Sequence, residues 1–262
     1  FTDEQYKRAK ILLAAKVASM MGRKLEEGDW SEVYCKAKDI PDTGWSNLHI
    51  DVNHEGLGIE FKMLRIARLQ GKPIKGVCGT TLMHPAATRS IRIDDVNLDA
   101  NAVMEDVLNQ YSALVEERTQ RVRESNPSGT AEMRLGWLLW EDDLKEFLYF
   151  EEKMGKPNPS DFYAEWNETQ ARGARKSSKS LWIYEKATNK KRYSVTTSAG
   201  IKIQPYFDVP SPSDSNLVFF RVQSERLDRD TIILWVAAAT AEQLKKRLGS
   251  IDKEVVSKAV VE

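Results

Sequence analysis

Three charged side chains lie close together in one short stretch of the chain, where Asp51 is followed by Glu60 and Lys62. From residue 57 to residue 64, apolar side chains alternate with glycine, charged residues and a leucine, which is the two-residue period of a β-strand. Glu60 and Lys62 therefore share one face of the predicted strand. Residues 48–52 predict a shorter preceding strand, and the glycines between the two favour a turn that folds Asp51 back toward Glu60.

This arrangement indicates a particular chemistry. The carboxylates of Asp51 and Glu60, together with a strand carbonyl, form a set of hard oxygen ligands that suits magnesium rather than zinc. The Lys62 ammonium beside them can orient a metal-bound water or help to deprotonate it. Such groups suit attack on a phosphodiester. A surface ion pair on an edge strand would have the same spacing. Two further acid–lysine matches, at 143–145 and 151–153, fall where the sequence predicts a helix.

Asp51 followed by Glu60-Phe61-Lys62 on the next strand resembles the motif of the PD-(D/E)xK nuclease superfamily, home of most type II restriction endonucleases. Ile50 stands where that motif has its proline. The strand is also similar to that of the mismatch-repair nicking endonucleases of the MutH type. The resemblance implies Mg²⁺ held by Asp51 and Glu60, with Lys62 as the residue that activates water. It also implies a further catalytic glutamate on an upstream helix. Glu32 is well placed for that role, although a solvated helix residue would have the same pattern.

The expected fold class is α/β (α+β): a mixed central sheet flanked by helices, with a strand-rich C-terminal subdomain. Residues 1–155 would form the catalytic core. Residues 156–262 would pack on it and recognise DNA, with the boundary in the Gly155–Pro159 segment, where glycine and proline break the preceding element.

Periodicity and turn signals predict the individual elements. The expected helices span residues 3–21, 30–38 with Asp29 as N-cap, 100–124, 142–154 and the start of a closing helix at 241–248. The expected strands, besides the first two, span residues 74–82, 133–140, 181–186, 192–197, 201–207 (an edge strand, because of Pro205), 217–222 and 231–237.

Composition excludes some functions. The 39 basic and 39 acidic residues balance, which argues against a non-specific polyanion binder but allows a sequence-specific enzyme with one positive cleft. No apolar run reaches the roughly 18 residues of a membrane span. The 2 cysteines are too few for a disulfide framework and lack zinc spacing, which favours a reducing cytoplasm. With 3 histidines, a histidine-rich metal site is not expected.

Polar and cationic side chains in three later segments suit contact with a DNA backbone or with base edges. The candidates are Thr88, Arg89, Ser90 and Arg92; Arg172, Arg175, Lys176 and Lys179; and Lys202, Gln204 and Tyr206. A polar loop, a flexible solvated loop and a half-exposed strand, respectively, would have the same compositions.

The sequence therefore predicts a magnesium-dependent, sequence-specific double-stranded DNA endonuclease of restriction type. A palindromic recognition site would favour a symmetric homodimer, which places one active site on each strand. Two alternatives remain open at this point. One is a MutH-like enzyme that nicks one strand under the control of a partner, and the other is a non-catalytic DNA-binding module that uses the strand-rich half.

Overall fold

In the computed structural model the described residues are 1–19, 25–41, 50–67, 69, 72–84, 89–141, 144–170, 177–197, 200–222, 246 and 249. The helices are α1 (Asp3–Ser19), α2 (Glu27–Lys38) and α3 (Ala100–Glu124), with short 3₁₀ turns at Ile74–Val77 and Pro159–Asp161. The strands are β1 (Val52–His54), β2 (Leu57–Arg65), β3 (Thr81–Met83), β4 (Arg89–Ser90), β5 (Glu132–Trp140), β6 (Glu146–Lys153), β7 (Phe162–Thr169), β8 (Ser178–Glu185), β9 (Lys191–Thr196), β10 (Lys202–Asp208) and β11 (Val218–Arg221).

The first sheet has the strand order β1-β2-β5-β6-β11. Strands β2 and β5 are parallel and the other neighbours are antiparallel. The predicted mixed central sheet is therefore confirmed. One face packs against α1 and α2 around Trp30, Phe61 and Phe147, and the opposite face packs against α3. Strand β5 lies at the centre with both faces covered, which explains its nearly continuous apolar sequence.

The second sheet has the order β3-β10-β9-β8-β7, with β4 also paired to β10. Its apolar face joins α3 and the first sheet in one buried cluster. The rings of Trp137 and Phe207 stack across the two layers with their centroids 3.7 Å apart. The sheets also exchange strands across the predicted boundary at residue 155. Strands β3 and β4 belong to the second sheet and β11 belongs to the first. The boundary itself stays a prediction.

The helix predicted over residues 142–154 is wrong. Residues 146–153 form β6, which pairs with β5 on one side and β11 on the other, while 142 and 143 lie outside the described residues. Four consecutive side chains, Phe147–Phe150, are buried. A short apolar run with both faces covered does not distinguish helix from strand by periodicity, and the ladder bonds to β5 and β11 decide for the strand.

Smaller predictions also need correction. The strand expected at 74–82 is a 3₁₀ turn followed by the short β3. Helix α2 begins before Trp30, with Glu26 as N-cap, and Asp29 lies inside the first turn, where its carboxylate accepts a hydrogen bond from the Glu26 amide at 2.9 Å. Strand β10 is not an edge strand. Pro205 is tolerated there because β4 pairs only with residues 202–203 and β3 only with 206–208.

The strand predicted at residues 48–52 is instead β1 at Val52–His54; Ile50 and Asp51 precede it, and residues 48 and 49 lie outside the described residues. The remaining described elements fall close to their predicted positions. Helix α3 spans residues 100–124 as expected, and the hairpin of β8 and β9 is present. Residues 231–237 lie outside the described part of the chain, as do all of 241–248 except residue 246. No helix among the described residues is long and apolar enough to cross a membrane.

Candidate active site

The β1–β2 hairpin positions the three predicted catalytic residues. Its two-residue turn places both Glu55 and Gly56 at positive φ, 47° and 82°, a turn geometry whose twist matches that of the flanking strands. A side chain at residue 56 would meet Asn126 Nδ2 and, at 2.6 Å, the backbone oxygen of Thr130, so glycine is needed for space as well as for φ. Val52 lies opposite Ile59, and the Asp51 amide donates to the Ile59 carbonyl at 2.8 Å. Asp51 is thereby brought beside Glu60 and Phe61.

Asp51, Glu60 and Lys62 converge at this point of the sheet. Asp51 Oδ2 accepts a hydrogen bond from the Phe61 amide at 2.6 Å, and Lys62 Nζ lies 3.1 Å from Glu60 Oε1. Burial raises the pKa of Asp51, and this effect outweighs the opposing influence of the Phe61 amide and the Lys62 ammonium. Glu60 and Glu27 raise the same pKa through charge repulsion, which indicates that the three carboxylates share one electrostatic environment.

The Lys62 ammonium lies among three oxygens. The Phe61 carbonyl accepts from Nζ at 2.9 Å, and carboxylate oxygens of Glu60 and Glu27 lie at 3.1 Å and 3.2 Å. Lys62 is only 9% exposed. A buried ammonium needs such partners because desolvation without them is costly. These carboxylate and carbonyl oxygens are also the type of ligand that a hard divalent cation prefers.

Glu60 is 4% exposed and contacts two arginines as well as Lys62. Arg89, at the start of β4, contacts Oε1, and Arg118, from the middle of α3, contacts Oε2. Burial alone would raise the pKa of Glu60, but the combined charges of Arg89, Lys62 and Arg118 hold it below its ordinary value. Glu60 is therefore a buried, ionised carboxylate with a cation on each oxygen.

The helix α2 contributes a glutamate to this cluster, but that residue is Glu27 and not Glu32. Glu32 points to the other side of the helix, where Lys16 and Lys36 contact its carboxylate at 2.5 Å and 2.6 Å. Those two bonds lower the pKa of Glu32, whose side chain is 41% exposed. Glu32 therefore lies away from the cluster of Asp51, Glu60 and Lys62. Glu27 was missed because the sequence placed the start of the helix at Trp30.

Arg118 was also missed by the sequence analysis. It lies seven residues after Tyr111 in α3 and therefore falls on the same face of the helix. That face was predicted to be buried. An arginine on a buried face needs an acidic partner, so Arg118 could have indicated that a buried carboxylate lies opposite it. The partner, Glu60, lies 58 residues earlier in the chain.

The oxygen donors fit magnesium by type, but they are already engaged with cations. Asp51, Glu60 and the Phe61 carbonyl are hard oxygens at one place. Both Glu60 oxygens and the carbonyl contact cationic side chains, so a divalent ion would compete with the Lys62 ammonium and the two guanidinium groups for these oxygens. Within the described residues, no three acidic, histidine or cysteine side chains are grouped so that they could hold a metal ion.

Of the predicted DNA-contact residues that the structure describes, Ser90 and Lys202 lie opposite each other in the β4–β10 pair. Arg89 contacts Glu60, Ser90 is exposed on β4, and the exposed Arg92 pairs with Asp94 at 2.7 Å. Lys179 Nζ lies 4.7 Å from the centre of the Trp166 ring. Thr88, Arg172, Arg175 and Lys176 lie outside the described residues.

The β10 candidates differ in exposure. Lys202 is exposed and Tyr206 is half-buried. Gln204 is buried, and its Nε2 donates to the His84 carbonyl at 3.0 Å, which favours a structural role for this amide over the predicted contact with a base edge. His84 itself is buried against Met63, and burial lowers its pKa, so it is uncharged at neutral pH.

Comparison of the chain with protein-family models, with curated proteins and with solved structures gave no match.

Proposed function

We propose that this protein is a magnesium-dependent, sequence-specific double-stranded DNA endonuclease of restriction type. The observation that carries the proposal is the convergence of Asp51, Glu60 and Lys62 at the β1–β2 hairpin, supported from α2 by Glu27. Paired carboxylates beside an ammonium are the groups that metal-assisted phosphodiester hydrolysis requires. Because these groups are paired with one another in the free protein, the substrate and the metal must replace some of the ion pairs between them.

Each residue has a distinct role in this proposal. Asp51 and Glu60 would hold Mg²⁺, with the Phe61 carbonyl as a further oxygen ligand. Bound magnesium would supply a Lewis acid that neutralises the charge developing on the attacked phosphate. Lys62 would leave its oxygen partners and hold the attacking water, and its positive charge would favour loss of that water's proton to solvent. Glu27 would keep the Lys62 ammonium in place before substrate arrives, at its present distance of 3.2 Å.

DNA recognition would come from the second sheet and the segments around it. Arg89 contacts Glu60, and the next residue, Ser90, lies opposite Lys202 in the β4–β10 pair. Ser90, Lys202, Lys179 and Tyr206 would contact the duplex. A homodimer would place two such sites on a palindromic sequence. The free thiols of Cys35 and Cys78 suit a reducing cytoplasm, which is the compartment we propose for the enzyme.

Digestion of supercoiled plasmid DNA tests the proposal. Wild-type protein with Mg²⁺ is expected to produce discrete linear fragments, and EDTA is expected to prevent them. The Lys62→Ala and Glu60→Gln proteins are expected to leave the plasmid intact. Lys153→Ala is the matched control, because Glu151-Glu152-Lys153 has the same acid–lysine spacing but Lys153 is exposed at the end of β6.

The outcomes separate the competing functions. Nicked circles without linear product would favour a strand-nicking enzyme. Cutting that is unchanged in Lys62→Ala and Glu60→Gln would remove this site as the catalytic centre, provided that both variants are folded.

A non-catalytic DNA-binding module is a second candidate, and one observation favours it. The charge of Glu60 is matched by Arg89, Arg118 and Lys62, as expected for a buried ion cluster with a purely structural role. This function predicts site-specific DNA binding that is independent of Mg²⁺ and no plasmid cutting. Electrophoretic mobility shifts with and without EDTA distinguish it from the endonuclease.

A further inference from the structure

Two arginines from distant parts of the chain close on one carboxylate. Arg118 reaches Glu60 from α3 and Arg89 reaches it from β4, each on a different oxygen. Their side chains are 13% and 18% exposed, so both guanidinium groups lie mostly out of solvent. A guanidinium is a planar fork of N–H donors that binds phosphate oxygens as well as carboxylate oxygens.

The pairing has a consequence for the metal site. Glu60 Oε1 contacts two cations, Arg89 and Lys62, and Oε2 contacts Arg118, so a Mg²⁺ ion that approaches either oxygen meets a cationic side chain already there. Positive charge beside Glu60 also repels a divalent cation. In the free protein, therefore, Arg118 and Arg89 oppose metal binding by the residue that the proposed reaction requires as a ligand.

We propose that Arg118, together with Arg89, forms a phosphate-operated latch on Glu60. A phosphate of the DNA backbone takes the place of the Glu60 carboxylate on the guanidinium groups, and the released oxygen becomes available to the metal. The inference rests on the proposed function, because it assumes that the occupant of the site is a phosphodiester backbone. Arg118 is in this view a positioning residue that makes the metal site complete only when substrate is bound.

Thermodynamic linkage makes the latch measurable from either side. If DNA raises the affinity for the metal, the metal must raise the affinity for DNA by the same factor. Removing the latch should give the free protein part of the metal affinity that otherwise requires DNA. Such coupling would limit metal loading, and therefore hydrolysis, in the absence of a correctly placed duplex.

Binding of Mn²⁺ alone, measured from the electron paramagnetic resonance signal of the free ion, is the first test. Arg118→Met is expected to bind Mn²⁺ about tenfold or more tightly than wild type, because a repelling charge is removed and Glu60 Oε2 is released. Arg121→Met is the matched control, since Arg121 is on the same helix but pairs with the exposed Glu117. The control should match wild type. The double variant Glu60→Gln/Arg118→Met should lose the gain.

Arg118→Lys is a second variant, which keeps the proposal testable if Arg118→Met does not fold. Arg118→Lys keeps the charge but loses the planar fork, so it should give a smaller gain in Mn²⁺ affinity than Arg118→Met. Circular dichroism melts verify that each variant is folded. If folded Arg118→Met and Arg118→Lys both bind Mn²⁺ no better than wild type, the latch is contradicted.

The second test adds sheared duplex DNA, with Mn²⁺ bound by the DNA alone subtracted. DNA should increase the Mn²⁺ affinity of wild type by about tenfold or more and should have a much smaller effect on Arg118→Met. An equal increase in both proteins would overturn the latch.

The two proposals fail in distinguishable ways. Plasmid cutting by wild type, with Mn²⁺ affinity unaffected by Arg118→Met, would retain the endonuclease and remove the latch. Tighter Mn²⁺ binding by Arg118→Met, without plasmid cutting by wild type, would remove the endonuclease and retain the competition between Arg118 and metal for Glu60.

Discussion

Substitution of Glu60 by glutamine tests whether the ion cluster is as tightly coupled as the structure indicates. Glutamine keeps the size of the side chain and removes its charge. Arg89, Arg118 and Lys62 would then lie mostly buried with their shared counter-charge lost. We therefore expect Glu60→Gln to lower the free energy of unfolding as well as to abolish cleavage.

The magnitude follows from the burial of the partners. Removing one partner of a buried ion pair typically costs about 3–5 kcal/mol. The cationic side chains here are 11%, 13% and 18% exposed, so water recovers part of that cost. We expect a loss of about 2–4 kcal/mol for Glu60→Gln. The control Glu117→Gln breaks an exposed pair with Arg121 and should cost less than about 0.5 kcal/mol.

Urea unfolding monitored by circular dichroism measures both values, and a double-mutant cycle isolates the pair. Adding Arg118→Met to Glu60→Gln removes one of the unpaired charges, so the double variant should be more stable than the sum of the single losses predicts. The expected coupling is about 1–3 kcal/mol. A loss below about 1 kcal/mol for Glu60→Gln, with no coupling to Arg118, would refute the buried cluster.

The difference in unfolding free energy between wild type and Glu60→Gln should depend on pH. Burial opposes ionisation of Glu60, but Arg89, Lys62 and Arg118 hold its pKa below the ordinary 4.5. A lowered pKa contributes stability above the unfolded-state value, and that stability is lost as the pH falls through the folded-state value. The difference in unfolding free energy between wild type and Glu60→Gln should therefore be constant near neutral pH and shrink below pH 4.5. A difference that grows on acidification would contradict the assignment.

Three further predictions follow from the hairpin and from α2. Burial raises the pKa of Asp51, so the charged carboxylate lowers the stability of the folded protein above its ordinary pKa. At pH 7 the free energy of unfolding of Asp51→Asn in urea should therefore equal that of wild type or exceed it by up to about 1 kcal/mol, while plasmid cleavage is lost. A marked loss of stability would contradict this. Glu27→Gln should slow cleavage by about tenfold or more and Glu32→Gln should leave it unchanged, and the reverse order would restore the original assignment. Gly56→Ala should cost about 1–3 kcal/mol in urea, because its φ is 82° and the added carbon would meet Asn126; a neutral effect would count against the hairpin geometry.

The part of the site that lies within one hairpin could be predicted from the sequence. The alternation around Glu60 determines which side chains share a face, and a two-residue turn leaves little choice of register for Asp51. Helix α3 was also predictable, because its apolar stripe extends over many turns and a proline-containing turn follows it. Local pattern is sufficient where the structure itself is local.

The partners of Glu60 could not be predicted in the same way. Arg118 and Arg89 reach it from elements that are 58 and 29 residues away in the chain, and no local period specifies such contacts. Charged residues on a helix normally face solvent, which is why Arg118 was passed over. Glu27 was missed because the helix was predicted to begin only at Trp30. The strand β6 was predicted as a helix for a related reason, since its pairing with β11 comes from a segment that is distant in sequence.

The most direct measurement for the central claim is sequencing of the DNA ends that the wild-type protein produces from a whole genome in the presence of Mg²⁺, with the Lys62→Ala protein and EDTA as parallel controls. A restriction-type endonuclease with this active site should produce ends that cluster at one recurring sequence with a fixed cut position and that are absent from both controls. Ends scattered without sequence preference, no ends at all, or the same ends from the Lys62→Ala protein would contradict it.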